Sequence, residues 1–111
     1  MPGPKAVRPA VFHILLALSR RSLHGLGIAK AVDETTDGAF VLGPGTLYRS
    51  LKEMAHDGLI AGAEAPAGGS DPRRRFYDIT DRGREVVHVE AARMARIVEI
   101  ARQNQVLKET P

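Results

Sequence analysis

The chain has 111 residues, of which 43% are hydrophobic and 26% charged, with no cysteine and no tryptophan. That length fits one domain, or a compact core plus one long appended element, and a core this small gains from oligomerisation. Lack of cysteine excludes disulfides and thiolate metal sites, a charge of +3 with a pI near 9.7 is only mildly basic, and no apolar run approaches the ~20 residues of a membrane span.

The opening "MPGPKAVRP" lacks the long apolar core of a signal peptide and reads as a flexible basic arm over residues 1–9. The chain is therefore expected to be soluble and cytoplasmic, without a membrane partner. "AVFHILLALS", Ala10 to Ser19, follows, with Val11, Ile14, Leu15 and Leu18 at helical spacing and Pro9 suited to the first turn. Apolar on nearly every side, this helix is expected to be buried on several sides, with His13 at the core's edge. A second helix spans roughly His24 to Thr35, with Ile28 and Val32 inward and Gly38 placed to close it in a left-handed conformation. "AFVL", Ala39 to Leu42, is predicted to be a very short strand or extended link.

The third helix is the most informative. "GPGTLYRSLKEMAHDGLI", Gly43 to Ile60, places Pro44 in the first turn and Gly58 at the end. At about 100° per residue, Leu47, Leu51 and Met54 share one side. Gly45, Arg49, Lys52 and His56 fall opposite, with Tyr48 between. Such a face suits docking in the major groove. The helix start offers N–H groups to phosphate, and Gly45 has no side chain to hold a backbone away. Arg49 has the reach for base edges or phosphate, Lys52 is a compact charge for phosphate, and Thr46 and Tyr48 carry hydroxyls. A solvated amphipathic face would look similar, so the neighbouring elements have to decide.

"LIAGAEA" and "RRFYDIT" are strand-like and are joined by the turn-rich "PAGGSDPR", which predicts a two-stranded hairpin. Its tip leads into Arg73, Arg74 and Arg75, residues able to lie along a sugar–phosphate backbone or in a minor groove. Thr80 then reads as an N-cap with Asp81 in the first turn, and the last helix is predicted to run to about Lys108.

This order (helix, helix, short strand, helix, strand, strand, long helix) is that of a winged helix-turn-helix with one extra helix. The predicted class is mainly α with a small β-hairpin wing. Residues 10–80 form the DNA-binding domain and residues 81–111 the dimerisation helix and tail. Apolar residues of the last helix, including Val89, Met94, Ile97, Val98, Ile100 and Ala101, cover about half its circumference, wider than the stripe one domain contact requires. A homodimer is expected there, with Val11, Ile14 and Leu15 of the first helix supplying the other half. Glu90 and Arg93 interrupt the stripe and are expected to pair within the helix. Dimerisation would present two recognition helices to a palindrome.

Other chemistries find no footing. The four histidines lack metal-ligand spacing, "GLG" and "GPG" lack the setting of a phosphate-binding loop, and the carboxylates form no catalytic pair. No metal, cofactor or enzymatic activity is expected.

"ILLALS", "HGLGIAKAV", "GPGTLYRSLKEMAHDGLI" and "RRRFYDITDRGRE" together resemble the PadR family of bacterial transcriptional regulators, over roughly Val11 to Glu85. The resemblance implies a winged helix and a homodimer formed through the C-terminal helix. It also implies repression by operator binding to double-stranded DNA, relieved by a small molecule or another signal. Carried onto this chain, DNA contact falls on Thr46, Tyr48, Arg49, Lys52 and the arginine wing. The short tail resembles the family's smaller members, which have a single C-terminal helix. Some of those hold flat aromatic drugs between tryptophans, which this chain lacks. Leu26 stands where the family often has tyrosine. The competing expectation is a winged-helix module that binds protein without reading DNA.

Overall fold

The computed structural model describes residues 6–66 and 74–108. Its elements are α1 (Pro9–Leu18), β1 (Leu23–His24), α2 (Gly25–Thr35), α3 (Pro44–His56), β2 (Ile60–Ala63), β3 (Phe76–Ile79) and α4 (Asp81–Gln103). Four helices and a small antiparallel sheet make a winged helix. α1 runs through the middle, packing against α2, α3, α4 and β3.

The core is the one the apolar spacing implied. Ile14, Leu15 and Leu18 of α1 meet Ile28 and Val32 of α2, and Leu47, Leu51 and Met54 of α3. Each such side chain contributes about 1.5–3 kcal/mol on burial. This packing corrects one expectation. Val11 is 7% exposed and Ile14 and Leu15 are 0% exposed within their own subunit, so they have no area left for a partner. The reason is geometric: a helix ringed by three others and a strand spends its apolar surface inside its own domain. His13 sits half-buried against the rings of Phe12 and Phe40, as a core-edge residue should.

The sheet is three-stranded rather than a simple hairpin, in the order β1-β3-β2. β3 pairs with β2 through Ile60–Ile79 to Ala63–Phe76, and with β1 through Leu23–Tyr77 and His24–Phe76. The third strand is thus "LH", and of the two expectations for "AFVL", strand or link, the link holds. Ala39 to Leu42 has no strand beside it among the described residues, and the Phe40 N–H donates to the Thr36 hydroxyl instead. Gly38 does close α2 with φ of 77° and donates its N–H to Asp33.

Two junctions join the wing to α4. The Thr80 hydroxyl accepts from the Gly83 N–H at 3.0 Å, capping α4, and donates to the Gly58 carbonyl at 2.6 Å. Gly58 itself holds a φ of 77°, open to glycine at little cost. Gly83 packs so closely that a Cβ there would lie 2.2 Å from the Leu59 carbonyl oxygen.

α4 ends at Gln103, short of the expected Lys108. Gln105 turns left-handed with φ of 60°, and the N–H groups of Val106 and Leu107 fold back onto the Ala101 carbonyl. Nearer its middle, Glu90 is buried, pairs with Arg93 at 3.1 Å within the helix, and accepts from the Val7 N–H at 3.2 Å. The arm expected to be flexible over residues 1–9 is thus held at Val7, which is half-buried against the core, while residues 1–5 lie outside the described residues. No helix among the described residues is long and apolar enough to cross a membrane.

Candidate nucleic-acid interface

α3 starts at Gly43 and Pro44 with no side chain capping it. Proline at the first position has no N–H to satisfy, and the Leu47 N–H bonds back to the Gly43 carbonyl at 2.9 Å. Nothing among the described residues lies within 4 Å of where a Cβ would stand at Gly43 or Gly45, so this end of the helix is open to them. Leu47, Ser50, Leu51 and Met54 are buried, which turns Gly45, Thr46, Tyr48, Arg49, Lys52 and His56 outward. Each of these α3 positions that the sequence proposed for contact is solvent-exposed. The carboxylate nearest them along the helix, Glu53, is engaged by the Arg8 guanidinium at 2.5 Å. The arm thus offsets a negative charge on a face otherwise led by Arg49 and Lys52.

Tyr48, 55% exposed, leans over the start of α2. A Cβ added at Gly25 would meet its hydroxyl at 3.0 Å and its ring at 3.3 Å, so the absence of a side chain at Gly25 sets where the tyrosine lies. Beside it, Arg74 and Arg75 enter β3 from the wing, and together with His24, Gly25, Tyr48 and Tyr77 they border a cleft of about 260 Å³. Tyr48 and these two arginines are therefore brought together. Gly45, Thr46, Arg49 and Lys52 lie along the remaining face of α3, outside the cleft, while Arg73 lies outside the described residues.

His24 was not among the expected contacts. Its Nδ1 accepts from the Gly27 N–H at 3.0 Å, capping α2, and its ring meets Phe76 edge-on at 5.1 Å. Its Nε2 lies 2.9 Å from the Arg74 guanidinium. The "HG" pair ahead of α2 was a signal of a helix start, but a histidine is an unusual N-cap beside serine, threonine, aspartate and asparagine. Its approach to the wing depends on the β1–β3 pairing, which two residues do not announce.

The C-terminal half of α4 exposes Met94, Ile97, Val98 and Ile100, with Val89 and Ala101 half-buried. Among the described residues no cluster of histidine and carboxylate side chains is arranged to hold a metal.

The model of the PadR-like transcriptional regulator family matches residues 14–89, more than half the chain. Among solved structures, a PadR family transcription regulator from Clostridium difficile is similar at a TM-score of 0.71 with 25% identity, covering 86% of this chain and 97% of that one. A transcriptional regulator from Clostridium thermocellum gives 0.69 with 23% identity, over 89% and 90%. PadR of Bacillus subtilis in complex with operator DNA gives 0.62 with 19% identity, over 94% of this chain and 50% of that one. A 37.1 kDa protein of a Streptomyces fradiae transposon is 33% identical over 84 residues, which is 76% of this chain but 22% of that relative's length.

Proposed function

The chain belongs to the PadR-like family of transcriptional regulators, which are not enzymes, and we propose that it is a cytoplasmic homodimer that represses transcription by binding a palindromic operator and is released by an effector. The observation that carries this reading is the outward face of α3, where Thr46, Tyr48, Arg49 and Lys52 project from an open, uncapped helix start beside the wing's Arg74 and Arg75. In this reading Gly45 admits the phosphate backbone, Arg49 reads base edges, Lys52 and the hydroxyls hold phosphates, and the wing grips the flanking backbone. Operator DNA, the partner of the Bacillus subtilis protein, is the partner proposed here. The exposed apolar face of α4 supports the dimer. A two-fold pair of recognition helices suits half-sites one turn of duplex apart, about 34–36 Å.

Selection from a random duplex pool tests the reading. It should enrich a palindrome with that half-site spacing. A pool that stays random after repeated rounds, with the protein folded, would count against sequence-specific binding and favour a protein-binding module.

A second prediction concerns Gly25. Gly25→Ala should leave thermal stability near wild type, because the atoms its Cβ meets belong to a side chain that can swing away. Displacing the Tyr48 hydroxyl from a charged phosphate should nevertheless weaken duplex binding by roughly tenfold, the scale of one hydrogen bond to an ion. Wild-type affinity in that variant would show that the position of Tyr48 is irrelevant to binding.

A further inference from the structure

The contact between His24 and Arg74 is chemically incomplete. A neutral imidazole has one donor and one acceptor nitrogen. The acceptor is committed, because Nδ1 receives the backbone N–H of Gly27 at 3.0 Å and that N–H has no other role to play. The proton must then sit on Nε2. Arg74 carries donors only. The 2.9 Å approach of Nη1 to Nε2 therefore brings two N–H donors face to face with no acceptor between them.

Neither group is there by looseness. His24 is paired with Phe76 across the β1–β3 ladder, its ring packs edge-on against the Phe76 ring, and its Nδ1 is tied to α2. Arg74 enters β3 two residues before Phe76, so the same ladder delivers it to the same point. The two converge at the edge of the cleft bordered by Tyr48, Arg75 and Tyr77, and no acidic residue lines that cleft among the described residues. Two convergent donors call for an acceptor oxygen, and the guanidinium charges of Arg74 and Arg75, with no carboxylate in the lining, favour an anionic one. An oxygen cannot fit within that 2.9 Å gap, but seated beside it, with both N–H groups turned toward it and the nitrogens eased apart, it would accept from both and convert a repulsive contact into a bridge.

We propose that a backbone phosphate of bound duplex DNA seats in this cleft, one of its oxygens accepting from His24 Nε2–H and from the Arg74 guanidinium. His24 thereby joins the DNA-contacting residues, and the seated phosphate ties the start of α2 to the wing. This rests on the DNA-binding reading above, and it adds a contact at a residue which that reading does not use.

Asparagine is a strong N-cap and can accept from the start of the helix as His24 does, but it cannot reach the cleft. His24→Asn therefore separates folding from contact. The probe is a labelled mixed-sequence duplex, sufficient because a phosphate contact carries no sequence information. Binding is measured by anisotropy over a salt series for wild type, His24→Asn, Arg74→Gln and the double variant. His24→Asn should melt like wild type and bind roughly tenfold more weakly, with its salt slope unchanged because a neutral donor displaces no counterion. Arg74→Gln should lose a comparable factor and flatten the slope by about 0.9, the value for one phosphate. The double variant should lose much less than the product of the two, since both donors serve one oxygen. In the free protein, long-range proton–nitrogen spectra should find the His24 proton on Nε2.

Wild-type binding by folded His24→Asn, or losses that multiply in the double variant, would overturn the shared phosphate while leaving DNA binding intact. A His24 proton found on Nδ1 would overturn it too. A His24 resonance that moves with millimolar inorganic phosphate but not with duplex would reassign the cleft to a free anion. No salt-dependent duplex binding by wild type itself would remove the DNA-binding reading and this contact together.

Discussion

Replacing Gly83 by alanine is expected to lower the melting temperature by roughly 12–24 °C. That is a loss of about 3 kcal/mol taken at about 4–8 °C per kcal/mol for a domain of this size. Gly83 lies in the first turn of α4, where the new Cβ would stand 2.2 Å from the Leu59 carbonyl oxygen, 2.9 Å from Ile79 and 3.2 Å from Leu15. A side chain could step aside, but the nearest atom is backbone. The Leu59 carbonyl also accepts from the Thr80 N–H at 3.1 Å, so moving it loosens the seam between β2 and α4. Against a typical total stability of about 5–15 kcal/mol, the loss is large. Gly62→Ala is the control, because its Cβ would point into open space. Thermal unfolding followed by circular dichroism decides the matter, and a Gly83→Ala variant that melts within a few degrees of wild type would refute the close approach.

The second large effect lies at the proposed dimer interface. Ile97 is 58% exposed near the middle of α4, with Met94 and Ile100 one turn to either side and similarly uncovered. If a partner's surface covers this stripe, Met94→Lys with Ile97→Lys puts two charges into an apolar seam. Two interface anchors at about 2 kcal/mol each correspond to roughly a thousandfold weaker association. Light scattering should then find the wild type at twice the 12.0 kDa chain mass and the double variant at the single mass. Palindrome affinity should fall with it, while the fold survives, because neither residue belongs to the core. A wild type that is monomeric at high concentration would end the dimer proposal.

Much of this architecture was legible because it depends on local chemistry. Pro44 opening α3, Gly58 turning left-handed after it, Thr80 capping α4 and the inward Leu47, Leu51 and Met54 are each set within a few residues of sequence. What sequence reading missed depends on neighbours that only the fold supplies. The composition of "AFVL" left strand and link both open, and no strand among the described residues pairs with it, whereas "LH" is too short to announce itself and pairs because β3 lies alongside. The apolar ring of α1 looked like surplus for a partner, yet Ile14 and Leu15 are consumed by α2, α3, α4 and β3. Gln105 ended α4 early without a glycine or proline to mark the stop.

The candidate interface divides in the same way. The α3 face follows from helical periodicity, and the exposed positions match it residue for residue. The cleft does not follow from periodicity, since His24, Gly25, Tyr48 and Arg74 come from three separate stretches and meet only through the β1–β3 ladder and the packing of α3 on α2. The pairing of Arg8 with Glu53 is likewise set by the fold, since no local pattern ties the N-terminal segment to α3.

The account stands most directly on one measurement, fluorescence anisotropy of wild type and Arg49→Ala on the selected palindrome and on a scrambled duplex of equal length, across a salt series. The account predicts preferential binding to the palindrome, with affinity that falls steeply as salt rises, by about 0.9 in log–log slope for each phosphate engaged. Arg49→Ala should lose about 1–3 kcal/mol on the palindrome, the worth of one base-reading arginine, and far less on the scrambled duplex. Feeble binding of wild type to both duplexes, indifferent to salt and to Arg49, would contradict it.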